Sequence, residues 1–203
     1  LVAQLLDGEH TLRGVQADIF RRTGRLLPFE QIESLVQTHD DCLFLDTPRF
    51  ADAFRLMREE FLARPTRPAI LAGQAYSDDA SELRRFFDEL FRGSDGSTLP
   101  PSGTGPFDLR ALVAPHIDLR RGRRAFAHAY RALFERSDAD VFVILGVAHY
   151  GDGKPYVVTA KDFETPLGTV PTDKAMVTSL RELAPPGALG DEYAHKNEHS
   201  IEF

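Results

Sequence analysis

Histidines placed just after apolar, strand-length runs are the first residues in this sequence able to do chemistry. His116 closes Ala114-Pro115-His116 behind the run Leu109 to Ala114, and His149 closes Leu145-Gly146-Val147-Ala148-His149 behind the run Asp140 to Gly146. In an open parallel sheet, ligands bind in the crevice beyond the carboxyl ends of the strands. Neighbouring parallel strands lie about 4.8 Å apart, so two such loops can bring both imidazoles onto one metal ion. The same placement also suits two structural or surface histidines. A third cluster is His195-Lys196-Asn197-Glu198-His199-Ser200. On a helix His195 and His199 would share a face, and Glu198 could orient an imidazole or act as a base. This string also fits H-x-x-E-H, the inverted zinc-protease signature, which opens a metal-dependent hydrolase reading. That motif is short, and it needs a further ligand downstream where only four residues follow His199.

Other polar features read more blandly. Asp118 suits either a partner for an imidazole or the start of a turn, with the turn favoured. Arg120-Arg121-Gly122-Arg123-Arg124 could receive an anion near a helix N-terminus, but such runs more often form a solvated helix start. Ser200 beside His199 makes no nucleophilic pair if the segment is helical, since adjacent helical residues point apart. No G-x-G-x-x-G or phosphate-loop motif occurs.

The elements that must position these residues divide the chain in two. Residues 1 to 62 read as small helical units. Thr11 is a candidate N-cap for a helix reaching Phe20 and Arg21, which Thr23-Gly24 stops. Pro28 can open a second helix and Pro48 a third. Cys42 to Leu45 is short and apolar enough for a strand, and three helices with a small strand suggest a winged-helix module. Arg64-Pro65-Thr66-Arg67-Pro68 marks a boundary, because two prolines interrupt regular hydrogen bonding. Beyond it, residues 66 to 203 predict an α/β domain with a central sheet. Strands are expected at Ala69 to Ala72, Leu109 to Ala114, Asp140 to Gly146 and Tyr156 to Ala160. Helices are expected at Ser81 to Phe91, Arg123 to Arg136 and Asp173 to Leu183. Residues 93 to 106, rich in Gly, Ser and Pro, predict a mobile surface loop.

Composition narrows the function classes. With 24 Lys and Arg against 31 Asp and Glu, the 203-residue chain carries a net charge of −7. That balance disfavours a nucleic-acid surface, which needs clustered positive charge. Hydrophobic residues make up 42%, enough for a packed core. Cys42 is the only cysteine, so no internal disulfide can form, and a cytoplasmic setting is expected. No apolar stretch approaches the roughly 20 residues that span a bilayer, and no signal peptide is visible. The chain starts at Leu1 and stops at Phe203, so a fragment truncated at its C-terminal end is expected.

Several motifs together resemble a known family. Ala114-Pro115-His116, Ile144-Leu145-Gly146-Val147-Ala148-His149, Thr165-Pro166-Leu167-Gly168 with Asp173, and His195-x-x-Glu198-His199-Ser200-Ile201-Glu202 occur in the order found in the Memo family. Its bacterial and archaeal members are called AmmeMemoRadiSam system protein B. Ala72-Gly73-Gln74-Ala75-Tyr76 resembles the segment that opens the family's domain, and the likeness runs over about residues 66 to 203. Leu5-Leu6-Asp7-Gly8 with Thr11-Leu12 looks more weakly like PqqD-type winged-helix modules, which bind peptides by strand addition.

The Memo resemblance implies a class III extradiol dioxygenase-like fold and a metal pocket at His116, His149 and His199. By analogy with the dioxygenases, His116 and His149 would be ligands and His199 the catalytic pocket histidine. His195, Glu198 and Asp118 would support them. The implied cofactor is a divalent transition metal, Fe(II) first, with Cu or Zn as alternatives. A further ligand is expected beyond Phe203, and Ile117-Asp118 departs from the family's usual residues after His116. The implied partners are a small molecule or peptide and other proteins of the AmmeMemoRadiSam system, with neither nucleic acid nor membrane. The rival readings are a peptide- or protein-binding module without catalysis, and the hydrolase.

Overall fold

The computed structural model of the chain describes residues 1–92, 106 and 108–203, which form two units, Leu1–Glu60 and Phe61–Phe203. The first unit is helical. After a 3-10 turn at Ala3–Leu5 come α1 (Leu12–Thr23), α2 (Phe29–Asp41) and α3 (Pro48–Ala63), whose last residues belong to the second unit. Thr11 caps α1 by accepting a hydrogen bond from the Gly14 backbone N–H at 3.1 Å. Gly24 ends it in the left-handed region, φ 69°, which a residue with a Cβ adopts only at a cost. Pro28 precedes α2 with its backbone extended. Leu5, Val15, Ile19 and Ile32 form the buried core, with Val2, Leu6, Leu12 and Leu27 packed around it.

No strand occurs in residues 1–60, so the wing of a winged helix is absent. The expected strand at Cys42 to Leu45 is a turn instead. Cys42 donates back to Thr38 at 3.0 Å, closing α2, and Leu43 sits at φ 62°. A run this short has no neighbouring strand to pair with, and unpaired backbone groups find turn partners.

The second unit is mixed α/β around a small sheet. Its elements are β1 (Thr66–Arg67), α4 (Ala80–Phe91), α5 (Arg123–Arg136), β2 (Asp162–Thr165), β3 (Gly168–Val170) and α6 (Lys174–Leu183). The sheet order is β1-β2-β3, with β1 parallel and β3 antiparallel to β2. Thr165-Pro166-Leu167-Gly168 is the hairpin turn between β2 and β3, and Asp173 caps α6 by accepting from the Met176 backbone N–H at 2.9 Å. A second core joins α4 and α5 through Leu83, Leu90, Leu119, Phe126 and Tyr76.

The helices expected from the sequence are present, but four expected strands are not. Leu109 to Ala114 and Asp140 to Gly146 belong to no ladder among the described residues. Ala69 to Ala72 and Tyr156 to Ala160 contribute only isolated bridges, Ala72 to Tyr76 and Tyr156 to Leu189. Their apolar composition suits burial on both faces, yet Val113 is 97% and Leu145 88% exposed. A β-strand is stable only with a neighbour to take its backbone hydrogen bonds and a layer to cover its side chains. The loop expected over residues 93 to 106 lies outside the described residues, except for Pro106. No described helix is long and apolar enough to cross a membrane.

Candidate metal centre

Three histidines from three separate segments converge. His116, His149 and His199 each offer one ring nitrogen, and these atoms lie within 4.8 Å of one another. Ring centroids are 4.5 Å apart for His149 and His199, 5.4 Å for His116 and His149, and 5.6 Å for His116 and His199. An ion held at about 2.1 Å by two imidazoles sets their nitrogens roughly 3.0–3.4 Å apart, so small side-chain rotations would close the triangle.

Glu198 fixes one member of this group. Its Oε1 accepts from the His149 ring at Nδ1, 2.9 Å, and its Oε2 accepts from the His149 backbone N–H, also 2.9 Å. Oε1 additionally accepts from the Ser200 backbone N–H at 2.9 Å and lies 3.7 Å from His199 Nδ1. Burial pushes the Glu198 carboxyl up, but these hydrogen bonds, with that of the Ser200 N–H the largest, outweigh it and hold the group at about 2. A carboxylate that accepts from Nδ1 leaves Nε2 of His149 with its lone pair free, the tautomer a metal ligand needs.

Two further contacts bring the segments together. Ser200 Oγ donates to the Val147 carbonyl at 3.0 Å and accepts from the Val147 N–H at 2.9 Å. This close approach requires Gly146, where an added Cβ would meet Ser200 Oγ and Ile201 Cδ1 at 2.5 Å. Arg67, 1% exposed, holds the same turn from the other side. It donates through Nε to the His195 carbonyl (3.1 Å), through Nη2 to the Glu198 carbonyl (2.7 Å), and through Nη1 to the Glu202 carboxylate. Glu202 in turn accepts from the Leu71 backbone N–H at 2.8 Å and the Tyr76 hydroxyl at 2.7 Å. Burial and the neighbouring carboxylate push the Tyr76 hydroxyl up, so it stays a donor.

The remaining sequence candidates fall in different places. His195 stands outside the histidine group. It lies in a 3-10 turn, Glu192–Lys196, rather than on a helix shared with His199, and its Nε2 donates to the Val157 carbonyl at 3.2 Å. Burial pushes its imidazole down, against that hydrogen bond. The paired geometry that H-x-x-E-H hydrolysis requires is therefore missing. Asp118 starts a turn, accepting from the backbone N–H groups of Arg120 (2.8 Å) and Arg121 (3.3 Å). Asp118 also lines a cleft of about 800 Å³ that includes His116, His199, Arg121, Tyr150 and Asn197. Sequence reasoning missed Arg67 as a site residue, since its two flanking prolines marked only a boundary. Tyr76 and Glu202 were visible only as letters of family-like motifs.

Comparison with known proteins identifies the class. The family model described as Memo-like protein matches residues 67–203, and the chain belongs to the Memo family. A MEMO1 family protein of Aquifex aeolicus is 33% identical over 199 residues, 98% of this chain and 50% of the relative. A MEMO1 family protein of Thermus thermophilus is 30% identical over 193 residues, 95% of this chain and 56% of the relative. One from Pyrococcus furiosus is 39% identical over 140 residues, 67% of this chain and 44% of the relative. The chain thus spans about half the length of the curated relatives it matches. No solved structure gives a significant match.

Proposed function

We propose that the Memo-like part of this chain carries a mononuclear metal pocket of the class III extradiol dioxygenase type. In this reading His116 and His149 hold a divalent transition metal and His199 handles protons. The observation that carries it is the convergence of three ring nitrogens within 4.8 Å, one of them oriented by the buried Glu198 carboxylate. Imidazole donors suit Fe, Cu and Zn alike, with Fe(II) the first choice in this reading. When bound, such an ion supplies Lewis-acid or redox chemistry toward dioxygen or an oxygenated substrate. Glu198 keeps His149 in its ligating tautomer, and His199, 3.7 Å from the same carboxylate, is placed to accept or return a proton. A cytoplasmic setting and partner proteins of the AmmeMemoRadiSam system belong to the same proposal.

Metal analysis of the purified chain tests it. The wild type should take up one equivalent of Fe(II), Cu or Zn, and His116→Ala or His149→Ala should each abolish stoichiometric binding. Full metal content in either variant would overturn the assignment. His199→Ala should keep the ion; its loss there would make His199 a ligand rather than a proton carrier. A pure binding module would keep its affinity for a partner in metal-free protein.

A further inference from the structure

The cleft beside the three histidines has a wall chemistry of its own. Ile70, Leu71, Ala75, Pro115, Ile117 and Phe203 make most of that wall apolar. One permanent cation, Arg121, also lines it. Among the described residues the Arg121 guanidinium has no hydrogen-bond or ion-pair partner. Arg123, two positions on, differs: it pairs with Glu89 at 3.3 Å and lies over the Phe86 ring at 5.4 Å. The nearest anion in the wall, Asp118, has one carboxylate oxygen engaged by the backbone N–H groups of Arg120 and Arg121. Among the described residues it makes no ion pair with the Arg121 side chain, so that guanidinium can receive a ligand.

We infer that the cleft binds a small molecule with an apolar body and one carboxylate, the carboxylate seated on Arg121 while the body lies along the apolar wall. This inference rests on the histidine group being the reactive part of the same cleft. The planar guanidinium fork matches one carboxylate through two parallel N–H···O bonds. A polyphosphate or sugar would need many more donors than this wall offers. An amine would face both Arg121 and any bound cation. A neutral hydrophobe would desolvate Arg121 without giving it a partner. The volume, about 800 Å³, lies within the range of small-molecule sites, roughly 300–1,000 Å³.

The test is titration of the full 203-residue chain, metal-loaded and metal-free, with 3-phenylpropionate and with its neutral amide. Wild type should prefer the acid about tenfold or more in both forms, as expected for a charge-assisted hydrogen-bonded pair. Arg121→Gln should remove that preference, and Arg121→Lys should restore part of it. Equal affinity for acid and amide, no binding of either, or a preference that survives Arg121→Gln would each overturn the inference. A preference seen only in metal-loaded protein would also overturn it, because the carboxylate would then be ligating the ion. Metal content, followed in the same samples, separates the two claims. Arg121→Gln should leave it unchanged, whereas the metal-pocket reading fails if the wild type takes up no ion or if His116→Ala or His149→Ala keeps it.

Discussion

The two units of this chain distribute charge in opposite ways. In the first, the core is purely apolar, Leu5, Val15, Ile19 and Ile32, and ion pairs such as Arg49 with Asp41 and Arg55 with Glu59 lie on exposed side chains. In the second, Arg67, Lys161 and Glu198 are buried, while Val113, Ile144 and Leu145 face outward. Burying charge is costly unless every polar atom finds a partner, and around the histidines each does. The first unit is a hydrophobic assembly built from local signals. The second spends polar burial on fixing one turn, residues 195–203, against segments 38 or more residues distant in sequence.

The contrast can be broken at either end. The largest expected effect is from Arg67→Ala, which leaves the Glu202 carboxylate buried without its cation; breaking such a pair costs about 3–5 kcal/mol. Hydrogen exchange should then show lost protection over 195–203 with α1 and α2 unchanged. Ile32→Ala is the mirror experiment. Emptying this fully buried site should cost about 2–5 kcal/mol in denaturant unfolding, yet leave metal uptake at the histidines intact. If it also emptied the metal site, the two units would not be energetically separate.

Smaller changes sharpen the comparison. Glu198→Gln keeps the shape but withdraws the charge that orients His149, and metal affinity should fall roughly 10–100-fold in competition titrations. The smallest effect belongs to the exposed pair Asp7 and His10 in the first unit, whose Nδ1 and Oδ1 are 2.9 Å apart. The Asp7 side-chain hydrogen bond raises the His10 imidazole, and the His10 bond lowers Asp7 to about 2. The His10 contribution to stability is full below its ordinary 6.5 and lost as pH rises through the raised value. That of Asp7 is present above its ordinary 3.8 and lost as pH falls through about 2. An NMR titration should place His10 above 6.5, and Asp7→Asn should lower it, since Asp7 is the largest cause of the rise with smaller contributions from Asp18 and Glu9.

Helix positions were largely legible because their signals are local. Thr11, Gly24, Pro28 and Asp173 each act within four residues, and α5 falls at Arg123–Arg136 as its apolar spacing predicts. Strands were not legible in the same way. The valine-rich run at 141–145 has strand composition, but pairing depends on a neighbour that composition does not supply. The small sheet instead pairs Thr66 with Asp162 and Phe163 with Val170, from segments that carry little apolar pattern. His116 and His149 stood out through their place after apolar runs, and they do meet, although those runs form no ladder among the described residues.

What the amino-acid order determined unaided was where helices begin and stop, which residues are able to ligate or titrate, and the family to which they point. Tertiary structure alone decided that His195 turns to Val157 instead of sharing a face with His199, and that Arg67 becomes the buried anchor of the turn between them. The reason is range. A cap or a proline acts on the backbone beside it, whereas the ring of a histidine is aimed by whichever distant donor or carboxylate packing brings within about 3 Å.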